Sequence, residues 1–354
     1  MIKEKPREDF AQPLYDWKPP PHWPRITSID AHTAGEPLRI IVSGYPELPG
    51  KTILERRHYA AEHFDYLRKV LMWEPRGHAD MYGCIITPPV SREANFGIVF
   101  LHNEGYSSMC GHGIIAVAKV AVEAGLVAQT WPVTVVRIDS PAGLITAYAK
   151  INRGSVESVA FRNVPSFVLA LDQVIDVPGL GEIRYDLAFG GAFYAYVQAD
   201  QVGLRCAPDE IGSLIEKGMA IKRAIAKSRP IPHPFEQELS FLYGTIFIAP
   251  PIGKGADSRN VCIFADGEVD RSPTGTGVSG RMAIHFARKE VTVSQPVIIE
   301  SIIGSRFTGR VVDVTTFGEH AAVIPEVEGT ASITGRHEFF VDPEDPLRSG
   351  FMLR

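Results

Sequence analysis

The chain has 354 residues, 45% of them hydrophobic, and a formal net charge of −5 at pH 7. This length allows two domains with packed cores, and the negative charge argues against a nucleic-acid partner bound through its phosphates. No apolar run reaches the length of a membrane span, and no apolar segment of a secretory signal follows the first residues, so no membrane partner is expected. Four scattered cysteines do not form a disulfide framework, which favours reduced thiols in a cytoplasmic protein.

The first half of the chain begins with a segment unlike the rest. Residues 1–24 are rich in proline and charge and are predicted to form an irregular surface extension. Apolar residues at helical spacing predict one long helix from Thr52 to Trp73, which Pro75 ends. Apolar runs predict strands at 25–30, 38–42, 81–86, 96–101, 133–138, 144–151 and 156–161.

The second half repeats this order of elements. A helix is predicted at 209–228. Strands are predicted from near Phe167 onward, at 183–188, 193–198, 246–248, 261–264, 297–301, 309–316, 320–328, 330–334 and 337–341. Each half therefore reads as strands, a long helix, strands, a short glycine motif and further strands, which indicates a duplicated α/β architecture.

The two glycine motifs are the most distinctive feature of the sequence. The first is SMCGHG at 108–113, and the second is SPTGTG at 272–277. Each leads into a helix-compatible run, and the first run ends at Gly125, a typical helix-ending glycine. Cys110 and Thr274 are 164 residues apart (274 − 110), close to half of the chain. This spacing predicts two motif helices facing one site between the halves.

Two converging helix N-termini suit a small anionic substrate. Their backbone N–H groups are unpaired and carry partial positive charge, and glycines allow close approach, so together they can hold one carboxylate. The same field is expected to lower the pKa of Cys110 and favour a thiolate, which can take the proton from the carbon beside that carboxylate. Electrostatics in a closed, dry site must offset the weak acidity of this carbon, and no metal or organic cofactor is required.

From about Ile26 to its end, the chain resembles the proline racemase family, which includes proline racemases, 4-hydroxyproline epimerases and trans-3-hydroxy-L-proline dehydratases. The resemblance rests on four ordered blocks: DAHTAGEP at 30–37, EPRGHADMYG at 74–83, MCGHG at 109–113 and DRSPTGTG at 270–277. It implies an α/β fold of the diaminopimelate epimerase type, with two pseudo-symmetric halves, each a mixed sheet or barrel wrapped around a central helix. It also implies a homodimer.

The expected domains follow from this resemblance and from the repeat. They are an N-terminal extension at 1–25, a first half at 26–162 and a second half at 163–334. The stretch 335–354 is expected to return to the first half.

One residue departs from the pattern of the racemases and epimerases, in which a cysteine occupies both motif positions. Here the second position is Thr274, whose hydroxyl is a very poor base at neutral pH. The pairing of Cys110 with Thr274 resembles the dehydratases, which eliminate water. In trans-3-hydroxy-L-proline the α-hydrogen and the hydroxyl lie on the same ring face, so one group can serve both steps. The sequence thus predicts Cys110-dependent conversion to Δ1-pyrroline-2-carboxylate through an enamine.

The resemblance implies roles for the neighbouring residues. Backbone groups of Gly111-His112 and Gly275-Thr276 would bind the substrate carboxylate, and the side chains of His112 and Asp270 would bind the ring nitrogen. Ser107 and Thr274 are candidates for contacting the 3-hydroxyl, and Phe264 for an apolar wall against the ring.

Alternative readings remain open at this stage. Racemase or epimerase activity would need an acid on the second face, and a non-catalytic imino-acid binder would need no thiol. The run 275–280 matches G-x-G-x-x-G, but no strand directly precedes it and no acidic residue follows about 20 residues later, which argues against a dinucleotide site. A zinc site at Cys110, His112, His78 and His32 lacks a standard spacing.

The candidate residues also have structural interpretations. If the family resemblance is set aside, His112 and Asp270 are compatible with structural roles. Thr274 is expected to cap its helix, and Cys84, Cys206 and Cys262 are expected to be packing residues.

Overall fold

The structure is a computed structural model that describes residues 8–353. Its α-helices are α1 (Glu8–Tyr15), α2 (Ile53–His63), α3 (Asp65–Met72), α4 (Gly111–Glu123), α5 (Ile211–Ser228) and α6 (Gly275–Ala287). No helix in this range is long and apolar enough to cross a membrane.

The strands fall into two parts along the chain. Those of the first part are β1 (Arg25–Thr33), β2 (Glu36–Ser43), β3 (Tyr82–Thr87), β4 (Phe96–His102), β5 (Tyr106–Ser107), β6 (Val133–Ser140), β7 (Gly143–Asn152) and β8 (Ser155–Arg162). Those of the second part are β9 (Ser166–Val177), β10 (Gly181–Phe189), β11 (Phe193–Gln198), β12 (Leu242–Ala249), β13 (Ser258–Phe264), β14 (Glu268–Val269), β15 (Val297–Glu300), β16 (Arg306–Phe317), β17 (His320–Gly329) and β18 (Ala331–Phe340).

The strands form two rings, of which the first is completed where the chain passes from β17 into β18 and the second is closed by strand pairing throughout. In the first, neighbouring strands pair in the order β1, β2, β3, β4, β6, β7, β8 and the end of β17, and β18 returns to β1. In the second, the order is β9, β10, β11, β12, β13, β15, β16, β17 and back to β9. Each ring has two parallel pairs at equivalent places, namely β2–β3 and β4–β6 in the first and β11–β12 and β13–β15 in the second. The fold therefore consists of two pseudo-symmetric halves.

Each half is wrapped around one motif helix. Helix α4 packs against β1, β7, β8 and β18, whereas α6 packs against β9, β10, β16 and β17. Eleven of the thirteen residues of α4 are buried, and ten of the thirteen residues of α6. A helix that is apolar and buried all round belongs in the centre of a core, which explains why both motif helices lie inside their barrels.

The chain crosses between the two barrels at equivalent points. The chain leaves the first barrel after β8 and enters the second through β9; it leaves the second after β17 and returns to the first through β18. We propose that the halves divide between Arg162 and Asn163, as the sequence predicts. We further propose that the returning segment begins with β18 at Ala331, four residues before the expected position 335.

Four local features differ from the sequence-based predictions. The helix predicted over 52–73 is two helices, because Phe64 leaves helical geometry with φ −129° and ψ 17°. The extension, of which residues 1–7 lie outside the described range, contains α1, and Trp17 packs edge-on against Phe340 with ring centres 5.9 Å apart. The strands predicted at 330–334 and 337–341 are one strand, β18, whose pairing with β1 shifts by one residue next to Asp30. The fourth feature is the start of α6, described below.

Candidate active site

The N-termini of α4 and α6 touch each other between the barrels. A Cβ atom built on Gly111 would lie 2.6 Å from the Cα of Gly275, and one built on Gly275 would lie 2.8 Å from the Cα of Gly111. Real Cβ contacts are not this short, so only glycine fits at either position. The first N–H groups of a helix lack intrahelical acceptors, so the two adjoining helix ends offer free donors of the kind that bind anions.

Cys110 caps the first of these helices. Its backbone is extended, with φ −143° and ψ 107°, and its Sγ accepts a hydrogen bond from the N–H of Gly113 at 3.2 Å. The same sulfur lies 3.2 Å from Nδ1 and 3.5 Å from Nε2 of His112. The thiol is therefore held at the mouth of the helix, in contact with a buried imidazole.

Thr274 starts the second helix in a different way. Its backbone lies in the left-handed region, with φ 66°, and its side chain makes no capping hydrogen bond, so the expectation that Thr274 caps α6 is wrong. The methyl group of Thr274, not its hydroxyl, faces the first turn of the helix, since a Cβ built on Gly277 would lie 3.1 Å from Thr274 Cγ2. The Oγ1 of Thr274 is buried and makes no hydrogen bond of ordinary geometry within residues 8–353, but it lies close enough to Asp270 and Cys262 to lower the pKa of each. Ser272 and Asn260 hold the segment by bonding the N–H of Thr274 and the carbonyl of Pro273.

A small, tight cavity opens onto both helix ends. All of the predicted site residues line it, together with Phe264. Its lining consists of Tyr82, Met109, Cys110, Gly111, His112, Tyr194, Tyr243, Cys262, Phe264, Asp270, Thr274, Gly275 and Thr276. Ser107 stands just behind this lining, where its hydroxyl bonds that of Tyr82.

The electrostatics of the cavity overturn one expectation. Burial raises the pKa of Cys110 well above its ordinary value; the N–H of Gly113 lowers it, and the negative charge of Asp270 raises it again. The helix end therefore does not by itself produce a thiolate, because desolvation outweighs its field. Burial also lowers the pKa of His112 to about 3, so this imidazole is neutral at physiological pH. The protein residues around the sulfur favour a thiol beside a neutral acceptor.

Asp270 supplies the negative charge of the cavity. Burial raises its pKa to about 6, while hydrogen bonds from Ser272 lower it, including one from the Ser272 N–H at 2.7 Å. The group is thus ionised at neutral pH and placed to pair with a cation.

Glu36, a residue to which the sequence analysis gave no role, contacts the backbone next to Asp270. Its Oε2 accepts the N–H of Arg271 at 2.7 Å, while its Oε1 is buried without a partner among the described residues. Burial raises the pKa of Glu36 well above its ordinary value, and the charge of Asp270 adds to this rise. Arg271 also pairs with Asp80 at 2.9 Å, so residues from two family blocks fix the loop that carries Asp270.

The sequence analysis also missed several side chains of the cavity wall. Tyr82, Tyr194 and Tyr243 are buried with hydroxyls near the site, and Cys262 is not only a packing residue, because it lines the cavity. Tyr82 lies inside a family block and could have been found there. The other three lie outside the blocks, and only the folding of β11, β12 and β13 around α6 brings them to the site.

The dinucleotide-like run has a structural explanation. A Cβ on Gly280 would collide with the hydroxyl of Tyr196, which donates a hydrogen bond to the carbonyl of Gly277 at 2.9 Å. This glycine therefore makes room for a tyrosine inside the barrel. Over the described range 8–353, no group of three or more His, Cys, Asp or Glu side chains is arranged to hold a metal ion.

Together, fold and site define a class of proteins in which two pseudo-symmetric barrels bring two helix N-termini to one small cavity. The proline racemase family model matches residues 28–352, and the chain belongs to this family.

Similar proteins with different names occur within the family. A trans-3-hydroxy-L-proline dehydratase of Colwellia psychrerythraea is 52% identical over 329 residues, which are 93% of each chain. A 3-hydroxyproline 2-epimerase of Burkholderia multivorans is 46% identical, over 93% of this chain and 98% of that one. The crystal structure of a hydroxyproline epimerase from Agrobacterium vitis with bound trans-4-hydroxy-L-proline superposes with a TM-score of 0.88 at 34% identity, covering 94% of this chain and 96% of that chain.

Proposed function

We propose that this protein dehydrates trans-3-hydroxy-L-proline to Δ1-pyrroline-2-carboxylate through an enamine. The observation that carries this proposal is the pair of side chains at the two helix ends. Cys110 is a thiol in contact with the cavity, whereas the equivalent position on α6 is Thr274. A threonine hydroxyl is a very poor base at neutral pH, so the two helix ends provide one base rather than two. A single base suits this substrate, whose α-hydrogen and hydroxyl share a ring face.

The substrate carboxylate binds to the N–H groups of Gly111, His112, Gly275 and Thr276. The substrate's cationic ring nitrogen pairs with Asp270 and donates to the neutral imidazole of His112. Because the charge of Asp270 is one cause of the raised pKa of Cys110, a bound cation offsets it and favours ionisation of the thiol. Cys110 then removes the α-proton, and the carbon–oxygen bond at C3 breaks to give the enamine and water.

An epimerase is the second candidate, and one observation favours it. The thiol of Cys262 lines the same cavity, and burial raises its pKa well above the ordinary value, so it carries a proton. Such a thiol on the α6 side is able to return a proton to the second face of the ring. Inversion at C2 would convert trans-3-hydroxy-L-proline into cis-3-hydroxy-D-proline without loss of water.

A product assay separates these functions. Trans-3-hydroxy-L-proline, trans-4-hydroxy-L-proline and L-proline are each incubated with the purified protein, and ketimine and D-imino acids are measured in parallel. Ketimine from the first substrate, with no inverted product from any of them, is the expected result. Inverted product without water loss supports the epimerase, and tight binding without any product supports a non-catalytic binder.

The family resemblance further leads us to propose a homodimer that works in the cytoplasm. Light scattering coupled to size-exclusion chromatography tests the first proposal: a mass near twice the 38.9 kDa of one chain is expected. Fractionation of the source cells tests the second.

A further inference from the structure

Tyr82 stands beside Cys110 and has no role in the reaction as described so far. It is 3% exposed and lines the cavity from β3. Its ring meets that of His112 edge-on, with centres 4.8 Å apart, and the sulfur of Cys110 lies against the same imidazole. Tyr82 and Cys110 therefore approach the substrate site from one side, that of the first barrel.

Stereochemistry determines which side the leaving hydroxyl faces. Cys110 and Thr274 hold equivalent positions on the two helix ends, so a ring bound between them turns one face to each. The 3-hydroxyl of trans-3-hydroxy-L-proline shares its face with the α-hydrogen that Cys110 removes. The hydroxyl consequently leaves on the Cys110 side, where Tyr82 supplies a phenolic O–H, and away from Thr274.

We propose that Tyr82 is a catalytic residue that binds the leaving 3-hydroxyl and passes to it the proton that Cys110 has taken; this rests on the proposed dehydratase function. The α-proton moves to the sulfur as the bond to Cα breaks. The electron pair left on Cα forms the double bond to C3, and the bond from C3 to oxygen breaks. The departing oxygen takes the phenolic proton and becomes water, and the thiol proton moves to the phenolate. Cys110 is again a thiolate, Tyr82 a phenol, and no co-reactant is consumed.

The surroundings of Tyr82 suit this transfer. Its hydroxyl and that of Ser107 are hydrogen-bonded, so Ser107 can donate to the phenolic oxygen while Tyr82 donates to the substrate. Its ring stacks on His102 with centres 5.6 Å apart, and His102 bonds the buried Glu268 at 3.1 Å, which fixes the ring. Burial raises the pKa of Tyr82 well above its ordinary value, so the phenolate is short-lived and the resting group is neutral.

The test compares two leaving groups in the wild type and Tyr82→Phe, which keeps the ring and removes only the hydroxyl. With trans-3-hydroxy-L-proline, kcat is expected to fall about 10²-fold or more, because a positioned acid contributes about this much. With trans-3-fluoro-L-proline, fluoride leaves without a proton, so its release is expected to fall less than about 10-fold. If the rates of water loss and fluoride loss fell equally in Tyr82→Phe, the effect would be structural and the proposal would be overturned. A near-normal rate of dehydration in this variant would also overturn it.

Two further variants make the comparison specific. Tyr243→Phe removes the neighbouring hydroxyl of the cavity wall, which interacts with that of Tyr82, and a larger selective loss there than in Tyr82→Phe would assign the donor to Tyr243 instead. Tyr45→Phe removes a phenol far from the site, on the loop after β2, and is expected to leave both reactions unchanged. If wild-type protein yields no ketimine from trans-3-hydroxy-L-proline, the proposed function fails before any Tyr82 variant is compared.

Discussion

The N-termini of α4 and α6 share the same backbone architecture but carry different side chains. Both helices have thirteen residues, lie at the centre of a barrel and meet through glycines. However, α4 is capped by the sulfur of Cys110, whereas α6 begins at an uncapped Thr274 with a left-handed backbone. In the proposed reaction the shared architecture provides the donors that bind the carboxylate, and the side chain before the first glycine determines whether that helix end can act as a base.

The charges beside the two ends differ as well. The α4 end holds the neutral His112, and the loop before α6 holds Asp270, which is ionised at neutral pH. Under the proposed function, one side of the cavity receives a proton, while the other binds the positive charge of the substrate. The duplicated fold would then hold two different functions on the two faces of the substrate ring, and the following substitutions test that division.

The largest effect is expected from removing the thiol. Cys110→Ser replaces it by a hydroxyl that is a far weaker base, so the rate of ketimine formation should fall about 10³-fold or more. Cys84→Ala serves as the control, because Cys84 is a buried thiol of β3 outside the cavity. Near-normal turnover by Cys110→Ser would remove Cys110 from the mechanism.

The contact between the two helix ends gives the next largest effect. Gly111→Ala places a Cβ 2.6 Å from the backbone of Gly275, and neither backbone can yield without moving its helix. We expect kcat/KM to fall about 10²-fold, because small misplacements of reacting groups have effects of this size. Gly212→Ala in α5 is the matched control, since no atom lies within 4 Å of its new Cβ. Equal activity of the two variants would contradict the close contact.

Asp270→Asn tests the charge of the α6 side. In the proposed mechanism the carboxylate binds the substrate cation only when ionised, so wild-type kcat/KM should decline as pH falls through about 6, and this decline should vanish in the variant. KM at pH 7.5 should rise about tenfold or more, a loss of at least about 1.4 kcal/mol of binding free energy.

The same variant is expected to be the more stable protein at neutral pH. The folded-state pKa of Asp270, about 6, exceeds the ordinary 3.8, so its contribution to stability is present below pH 3.8 and is lost as pH rises through 6. Removing the buried charge should raise the free energy of unfolding at pH 7.5 by up to about 3 kcal/mol. Denaturant titrations at pH 4 and 7.5 without substrate measure this, with the exposed Asp16→Asn as control. A lower stability of Asp270→Asn at pH 7.5 would refute the argument.

The smallest effects are expected at Thr274. Because its hydroxyl is not a base, Thr274→Ala should change dehydration less than about 10-fold. Thr274→Cys restores a second thiol and should add inversion at C2, detected by chiral chromatography at about 1% of the dehydration rate or more. If no inverted product forms, more than this side chain separates dehydratases from epimerases.

Much of the fold could be predicted because its signals are local. The periodicity of apolar residues located most strands of both barrels, and the 164-residue offset of the motifs matches the offset between α4 and α6. The break at Phe64 and the joining of two predicted strands into β18 could not be predicted, because packing and a register shift decide them. Local sequence propensity contains no information on packing between helices or on strand register.

For the site, the residues were predicted better than their protonation states. The predicted residues from Cys110 to Thr276 line one cavity, since they sit in contiguous motifs whose glycines mark helix ends. The ionisation of Cys110 was predicted in the wrong direction. The sequence shows the helix end that lowers the pKa of a thiol, but not the burial that raises it more.

By itself, the sequence determined that two glycine-marked helix ends, one bearing Cys110 and the other Thr274, belong to duplicated halves, because these features depend on residues near one another in the chain. The tertiary structure alone decided that Gly111 contacts Gly275, that Thr274 leaves its helix uncapped, and that Tyr82 and Cys262 join the wall of the cavity. Barrel closure creates those contacts from segments separated by 28 to 164 residues (110 − 82 and 275 − 111). Their desolvation sets the protonation states of the site, and no local pattern encodes it.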